Sequence, residues 1–194
     1  RGEGNCVPCI PNWIKTGELD VRLCMNSSPR RQMEILKDTV DGVVRAGSDK
    51  LVLLNVHCGN NFKNMIREMS FHFPDMFICW ANWFQAVDWK QYFDDPGDHA
   101  GEMETSAMLH IAPDLVRPLS EAGDGAAKRF KIKAFKEGWV TAKRQWSKVT
   151  ADTGVGNPYP STAEKGKIYL EDCAKNIGQL LVDLATTPNE ELYE

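Results

Sequence analysis

Two histidines stand among glycines and acidic residues in patterns that can support catalysis. His57 directly follows the apolar run Lys50–Asn55, and His99 comes five residues before Glu104. An imidazole near neutral pH transfers protons or binds a metal ion, and a carboxylate facing the same cavity can do either. These residues are therefore candidates for general acid–base catalysis, or for metal ligation with proton transfer.

Each of these side chains also has an ordinary structural explanation. His57 can be a capping or core histidine in a turn between a strand and a helix, and its position does not decide between the two roles. Acidic residues are favoured in the first turn of a helix by the helix dipole, which is the preferred explanation of Glu102. For His99 and Glu104 both explanations stay open. The other two histidines are interpreted as ordinary helix residues: His72 and His110.

Several other chemistries are disfavoured by the motifs. The sequence contains no G-x-x-x-x-G-K-[ST] phosphate loop and no G-x-S-x-G nucleophile elbow. Cys6 and Cys9 form a CxxC without a second pair at zinc-ribbon spacing, so buried free thiols are favoured over a redox site. The glycine-rich segment 152–158 is either a loop that flanks the site or a plain connector.

Composition narrows the class of protein. The chain has 194 residues and a formal net charge of −4, which gives no reason to expect nucleic acid as a partner. The basic and aromatic stretch Lys128–Lys148 is accordingly interpreted as a solvated amphipathic face rather than a nucleic-acid surface. No signal-peptide or membrane-span pattern is visible, and the six cysteines are widely spaced, so we expect a cytoplasmic protein.

The elements that must position the histidines follow from hydrophobic periodicity. The middle of the chain alternates helix and strand, which predicts a βαβ unit with His57 at the carboxyl end of a strand, where ligands bind. No repeat or linker interrupts the chain, so a single α/β domain over residues 1–194 is predicted. The predicted strands are Cys6–Ile10, Lys50–Asn55 and Met76–Trp80. The predicted helices are one from Ser28 to Gly47, one over Phe62–Phe73, one over Glu102–Ala112, and a long one opened by a capping box at Ser161–Glu164.

Three blocks of the sequence resemble the creatininase (creatinine amidohydrolase) family. Leu54–Asn60 is similar to the family's L-N-G-H-G-G-N, and Asp98–Ser106 is similar to its H-A-G-x-x-E-T-S block. Gly154–Gly166 resembles the segment G-x-P-x-x-A-T-x-E-K-G. Their order and spacing agree over nearly the whole chain, and the second block is the most specific.

This resemblance implies a three-layer α/β/α fold with a largely parallel central sheet. It implies a site with two divalent metals, zinc and/or manganese, and hydrolysis of a C–N bond in a small cyclic amide or formamide. It also implies a homo-oligomer, often a hexamer. His57 and Glu104 match metal-site positions of the family, with Glu104 as ligand or proton shuttle. His99 matches a catalytic histidine, which we expect Asp98 to orient.

The substrate pocket and the start of the chain depart from the family pattern. Trp83 resembles a pocket-lining tryptophan, and Cys58 and Gly59 are predicted to line the same pocket. Gly59 stands where creatininase itself has a glutamate ligand, and Asp95 stands where a tryptophan closes over creatinine, so we expect a different substrate. Nothing matches the family's N-terminal strand and its E-x-H…D ligand segment, so weak metal binding is expected. The alternative is a non-catalytic binding or structural protein that kept the fold but lost a complete metal site.

Overall fold

A computed structural model gives the structure of residues 4–11 and 14–194. The backbone divides into two compact units. Unit 1 comprises Arg1–Ile14, Asn26–Val87 and Cys173–Glu194, and unit 2 comprises Lys15–Met25 and Asp88–Asp172. The prediction of a single domain stays a prediction.

Unit 1 is built on two parallel strands joined by a helix. Strand β1 is Lys50–Asn55 and strand β2 is Phe77–Asn82, and they pair in parallel from Lys50 opposite Phe77 to Asn55 opposite Asn82. Helix α1, Pro29–Arg45, precedes β1, and helix α2, Lys63–His72, connects the two strands. The predicted βαβ unit and the α/β class are therefore confirmed, although the sheet formed by the described residues is small.

The periodic apolar positions of α1 and α2 supply the core of unit 1. The fully buried members include Leu36 and Val40 of α1 and Met69 of α2, which pack with Ile78 of β2. The predicted cap of α1 is confirmed, because the Ser28 hydroxyl accepts a hydrogen bond from the Arg31 N–H at 3.3 Å. This packing fixes the end of β1, where the first candidate histidine follows.

The predicted strand Cys6–Ile10 is wrong. The backbone there is irregular, and Cys6 and Cys9 are exposed. Pro8 has no N–H to donate to a sheet, and this segment pairs with no strand among the described residues. The two thiols are free as predicted, but they are not buried.

Unit 2 contains short helices and the first half of the longest one. Its helices are α3 (Glu102–Ile111), α4 (Lys133–Lys136), α5 (Trp146–Val149) and α6 (Ala163–Thr186), which continues into unit 1. Single 3₁₀ turns occur at Thr16–Glu18, Trp83–Gln85, Trp89–Gln91, Pro113–Leu115, Leu119–Glu121 and Asn189–Glu191. No helix in residues 4–11 and 14–194 is long and apolar enough to cross a bilayer.

Helices α3 and α6 make contact through their backbones. A Cβ atom added at Gly166 would collide with the carbonyl of Ser106, so only glycine permits this approach. The cap of α6 differs from the prediction. Thr162 accepts the Lys165 N–H at 3.1 Å, whereas the Ser161 hydroxyl donates to the Glu102 carbonyl at 3.2 Å. Ser161 therefore ties α6 to the start of α3 instead of capping a helix.

The basic side chains of the stretch Lys128–Lys148 are exposed to solvent as predicted, but the stretch does not form one continuous element. Only the four-residue helices α4 and α5 form there, and Gly138, with φ of 82°, ends the first of them.

Candidate functional site

His99 is held by a short antiparallel pairing with the glycine-rich segment 152–158. The N–H of His99 donates to the Val155 carbonyl at 3.1 Å, and the Val155 N–H donates back to the His99 carbonyl at 2.8 Å. The neighbouring Asp98 N–H donates to the same Val155 carbonyl at 2.8 Å. The glycine-rich segment is therefore a loop that flanks His99, and the plain-connector alternative does not apply.

The imidazole of His99 is fixed by the same loop. Its Nδ1 lies 2.8 Å from the carbonyl oxygen of Thr153. Because a carbonyl only accepts, Nδ1 carries the proton, and in the neutral ring Nε2 keeps its lone pair. The loop is itself braced by Asp152. The backbone N–H of Gly154 donates to that carboxylate at 3.0 Å and, with Thr150 and Gly123, holds the pKa of Asp152 below its usual range.

Trp146 and Arg144 form a stack beside the His99 ring. The rings of His99 and Trp146 are 5.1 Å apart, and the Arg144 guanidinium lies 4.8 Å from the centre of the Trp146 ring. Arg144 also pairs with Asp98. The expected orientation of His99 by Asp98 is therefore corrected, because Thr153 binds Nδ1 and Asp98 is held by Arg144.

Glu104 has a structural task in the turn that follows His99. Its Oε2 accepts the backbone N–H of Ala100 at 2.7 Å, and Ala100 has the left-handed φ of 50°. A carboxylate in the first turn of α3 thereby stabilises a backbone conformation that alanine rarely adopts. Glu104 lies in the same loop-and-helix unit as His99, and its predicted roles as ligand or proton shuttle stay predictions.

Glu102, at the first turn of α3, is buried rather than solvated. Its side chain is 1% exposed, and Oε1 lies 2.5 Å from the Lys165 ammonium. Its Oε2 accepts the N–H groups of Asp94 and Asp95 at 3.2 and 3.5 Å. A buried carboxylate is costly unless it is paired, so this ion pair clamps the turn that leads into His99. The helix-dipole explanation of Glu102 did not predict this ion pair, although Lys165 belongs to the E-K-G segment that resembles the family's third block.

His57 lies in unit 1, at the carboxyl end of β1 as predicted. The buried side chain of Asn55 binds both backbone groups of His57, accepting its N–H at 3.2 Å and donating to its carbonyl at 2.9 Å. Asn55 also donates to Asn82 at 2.7 Å and accepts from Asn60 at 3.0 Å. This amide network, which the motif analysis did not identify, fixes the turn that carries His57.

The side chains predicted to line a pocket also lie in unit 1. A Cβ atom added at Gly59 would stand 2.7 Å from Nε2 of His57, so the ring occupies the space beside this glycine. Cys58 is exposed, and Trp83 is half-buried in the 3₁₀ turn that follows β2. His57 belongs to unit 1, whereas Glu104 belongs to unit 2.

Among the residues that the structure describes, the donor side chains do not form a complete metal centre. In the part of the chain that the structure describes, no group of three or more His, Cys, Asp or Glu side chains is placed to hold a metal ion. A hydrolytic metal usually takes about three protein ligands and a water molecule. The described residues on their own therefore do not fit the two-metal site that the resemblance implies.

Comparison with known proteins decides the family. Residues 4–181 match the creatininase family, described as creatinine amidohydrolase. The chain belongs to the creatininase family. A putative creatinine amidohydrolase from Bacteroides fragilis NCTC 9343 is 42% identical, with a TM-score of 0.84 over 92% of this chain and 69% of that one. The resemblance stated from the three sequence blocks is thus confirmed, together with the fold.

More distant relatives extend this comparison. A mycofactocin precursor peptide peptidase from Mycobacterium ulcerans (strain Agy99) is 25% identical over 195 residues, which cover 92% of this chain and 71% of the relative. A mutant creatininase in a zinc–zinc form is 21% identical with a TM-score of 0.65, over 84% of this chain and 66% of that one. This second likeness shows the creatininase fold alone. The family is hydrolytic, and its named members act on different substrates.

Cys58 provides a first test of the predicted pocket beside His57. An oxygen- and nitrogen-rich hydrolytic site rarely needs a thiolate, so we expect this exposed thiol to fill the space of the family's glycine. The substitution Cys58→Ala should leave bound zinc and turnover unchanged. Metal analysis and a rate assay on the purified variant check this, with Cys9→Ala as the matched exposed-thiol control. A large loss of zinc in Cys58→Ala alone would identify Cys58 as a ligand.

Proposed function

We propose that this creatininase-family chain hydrolyses the C–N bond of an amide, with His99 as the group that moves the proton. The observation that carries the proposal is the Nδ1 contact to the Thr153 carbonyl, which leaves Nε2 as the basic nitrogen of the neutral ring. A histidine fixed in one tautomer is suited to general acid–base catalysis.

The proton balance of the reaction follows from this tautomer. Nε2 accepts a proton from a water molecule as its oxygen adds to the amide carbonyl carbon. The imidazolium then gives that proton to the leaving nitrogen as the C–N bond breaks, which yields a carboxylic acid and an amine. Trp146 packs against one side of the ring and limits its rotation. Glu104 holds the turn after His99, so that the ring stays in place through both transfers.

Divalent metal is part of this proposal, with zinc or manganese as the candidates. The name of the zinc–zinc creatininase structure supports it. A bound metal would polarise the carbonyl and lower the pKa of water. His57 of unit 1 and Glu104 of unit 2 are each proposed as a metal ligand within its own unit, and further donors are needed because no three-donor cluster occurs among the described residues.

The proposed substrate is a small cyclic amide or formamide rather than a peptide. His99 and its loop resemble the block that the family uses on such compounds. The peptidase name of the Mycobacterium ulcerans relative makes a short peptide the competing substrate class. A closed homo-oligomer and a cytoplasmic location belong to the same proposal.

A substrate panel assayed with and without added zinc or manganese tests the proposed function. The panel contains creatinine, a cyclic ureide, an N-formyl amine and a short peptide, and the assay measures loss of each substrate and formation of its ring-opened or cleaved product by mass spectrometry. We expect metal-dependent turnover of a non-peptide member, with creatinine a poor substrate. Turnover of the peptide alone would contradict the proposed substrate class.

The competing function is a binding or structural protein of creatininase fold. The absence of a three-donor cluster among the described residues is the observation that favours it. Metal analysis of the protein as purified separates the two functions. Two metal ions per chain together with turnover support the enzyme. The absence of both bound metal and turnover of every panel member supports the non-catalytic alternative.

A further inference from the structure

A cleft in unit 2 collects positive charge beside the loop that carries His99. Its volume is about 920 Å³. Arg144 lines it, and so do six further exposed cationic side chains: Lys128, Arg129, Lys131, Lys136, Lys143 and Lys148. Only two acidic residues line it, Asp95 and Asp98, and Asp98 is already paired with Arg144. We propose that this cleft binds the carboxylate or phosphate group of a small organic anion.

The positive charge of the cleft contrasts with the net negative charge of the whole chain. The protein as a whole carries a formal charge of −4, and none of the six cations forms a salt bridge with a residue that the structure describes. Like charges that line one concave surface repel each other and focus the local field on an anion. Lysine and arginine both donate charge-assisted hydrogen bonds to carboxylates and phosphates, so an anion relieves this repulsion.

The lining also provides an apolar surface for the rest of a ligand. Phe130 and Phe135 stack with ring centres 4.4 Å apart, and Phe130 remains 41% exposed. Val149 and Val155 line the same cleft. The volume is in the range of small-molecule sites, roughly 300–1,000 Å³. An organic anion with an aromatic or similarly flat body fits this combination better than a bare inorganic ion does.

One wall of the cleft contains three glycines and is continuous with the His99 loop. Gly97, Gly125 and Gly156 line it, and the Gly156 N–H donates to the Gly125 carbonyl at 3.0 Å. A Cβ atom at Gly125 would collide with the Gly156 carbonyl, so this wall has no room for larger residues. Val155, which pairs with the backbone of His99, lies in the same wall. If the proposed hydrolysis is correct, the bound anion is part of the amide substrate.

Calorimetric titration of the full chain at low ionic strength tests the anion site. The probes are phenyl phosphate, benzoate and neutral benzyl alcohol, none of which contains a scissile C–N bond. We expect at least one anion to bind with a dissociation constant of about 1 mM or less, and benzyl alcohol to bind at least about tenfold more weakly. Preference for phenyl phosphate identifies a phosphate ester, and preference for benzoate identifies a carboxylate.

A pair of matched double variants controls for net charge. Arg129→Gln with Lys131→Gln should weaken anion binding by at least about tenfold, because charge-assisted hydrogen bonds are lost. Lys167→Gln with Lys175→Gln removes the same charge from exposed positions of α6 and should change binding by less than about twofold. Thermal unfolding of both variants checks that each is folded.

Three results would overturn the anion site. They are no binding of either anion, equal losses in both double variants, and tighter binding of a ten-residue oligouridine than of both small anions. Because the probes cannot be hydrolysed at a C–N bond, their binding is independent of turnover. Anion binding without any amide hydrolysis would therefore contradict the proposed function and still support the anion site.

Discussion

Replacing His99 should reduce turnover by roughly 10²–10⁴-fold while metal content stays the same. His99→Ala removes the nitrogen that moves the proton. His99→Asn is the sharper variant, because its amide N–H can still donate to the Thr153 carbonyl while the basic Nε2 is lost. Both variants should lose activity, and the asparagine variant should keep more of the stability of the loop. Steady-state rates and metal analysis on the purified variants measure these effects.

His110→Ala is the matched control for His99. It removes an exposed histidine from α3 of the same unit and should leave the rate within about twofold of the parent, because surface residues of this kind contribute little. A parallel fall of metal content and activity in the His99 variants would make His99 a ligand. Unchanged activity in His99→Asn would remove it from the reaction altogether.

Breaking the Glu102–Lys165 pair should produce the largest loss of stability. Lys165→Met leaves a carboxylate that is 1% exposed without its cation, and the free energy of unfolding should fall by about 3 kcal/mol. This is the lower end of the usual range, because the Lys165 side chain is 35% exposed and water already screens part of the interaction. Chemical denaturation followed by circular dichroism measures the change.

Two further variants show whether the uncompensated charge is the cause. Lys167→Met, at an exposed position of α6 two residues after Lys165, should change stability by less than about 0.5 kcal/mol. Combining Glu102→Gln with Lys165→Met removes both charges and should recover part of the loss. Glu102→Gln alone completes the comparison. If the stability losses of Glu102→Gln and Lys165→Met add up to the loss of the double variant, the two residues are not a coupled pair. Turnover should fall in the folded Lys165→Met protein as well, because Glu102 also holds the turn before His99.

Local patterns were sufficient for the elements of unit 1. The apolar run Lys50–Asn55 predicted β1 at its observed bounds, and Ser28 with Pro29 predicted the start of α1. The signals there are short-range, since a run of consecutive apolar residues predicts a strand and a helix cap needs one hydroxyl. The strand predicted over Cys6–Ile10 failed because strand formation depends on a partner, which local sequence does not reveal.

The sequence by itself also determined the family, since three blocks occur in the family's order and spacing, and it selected the histidines to consider. Only the tertiary structure decided what holds them. Thr153 rather than Asp98 orients the His99 ring, because the pairing of His99 with Val155 brings distant backbone together. Likewise the sequence predicted Glu102 only as an acidic residue in the first turn of a helix, whereas in the structure α6 places Lys165 against it. Contacts across some 60 residues depend on how the helices pack, and composition and spacing contain no record of that packing.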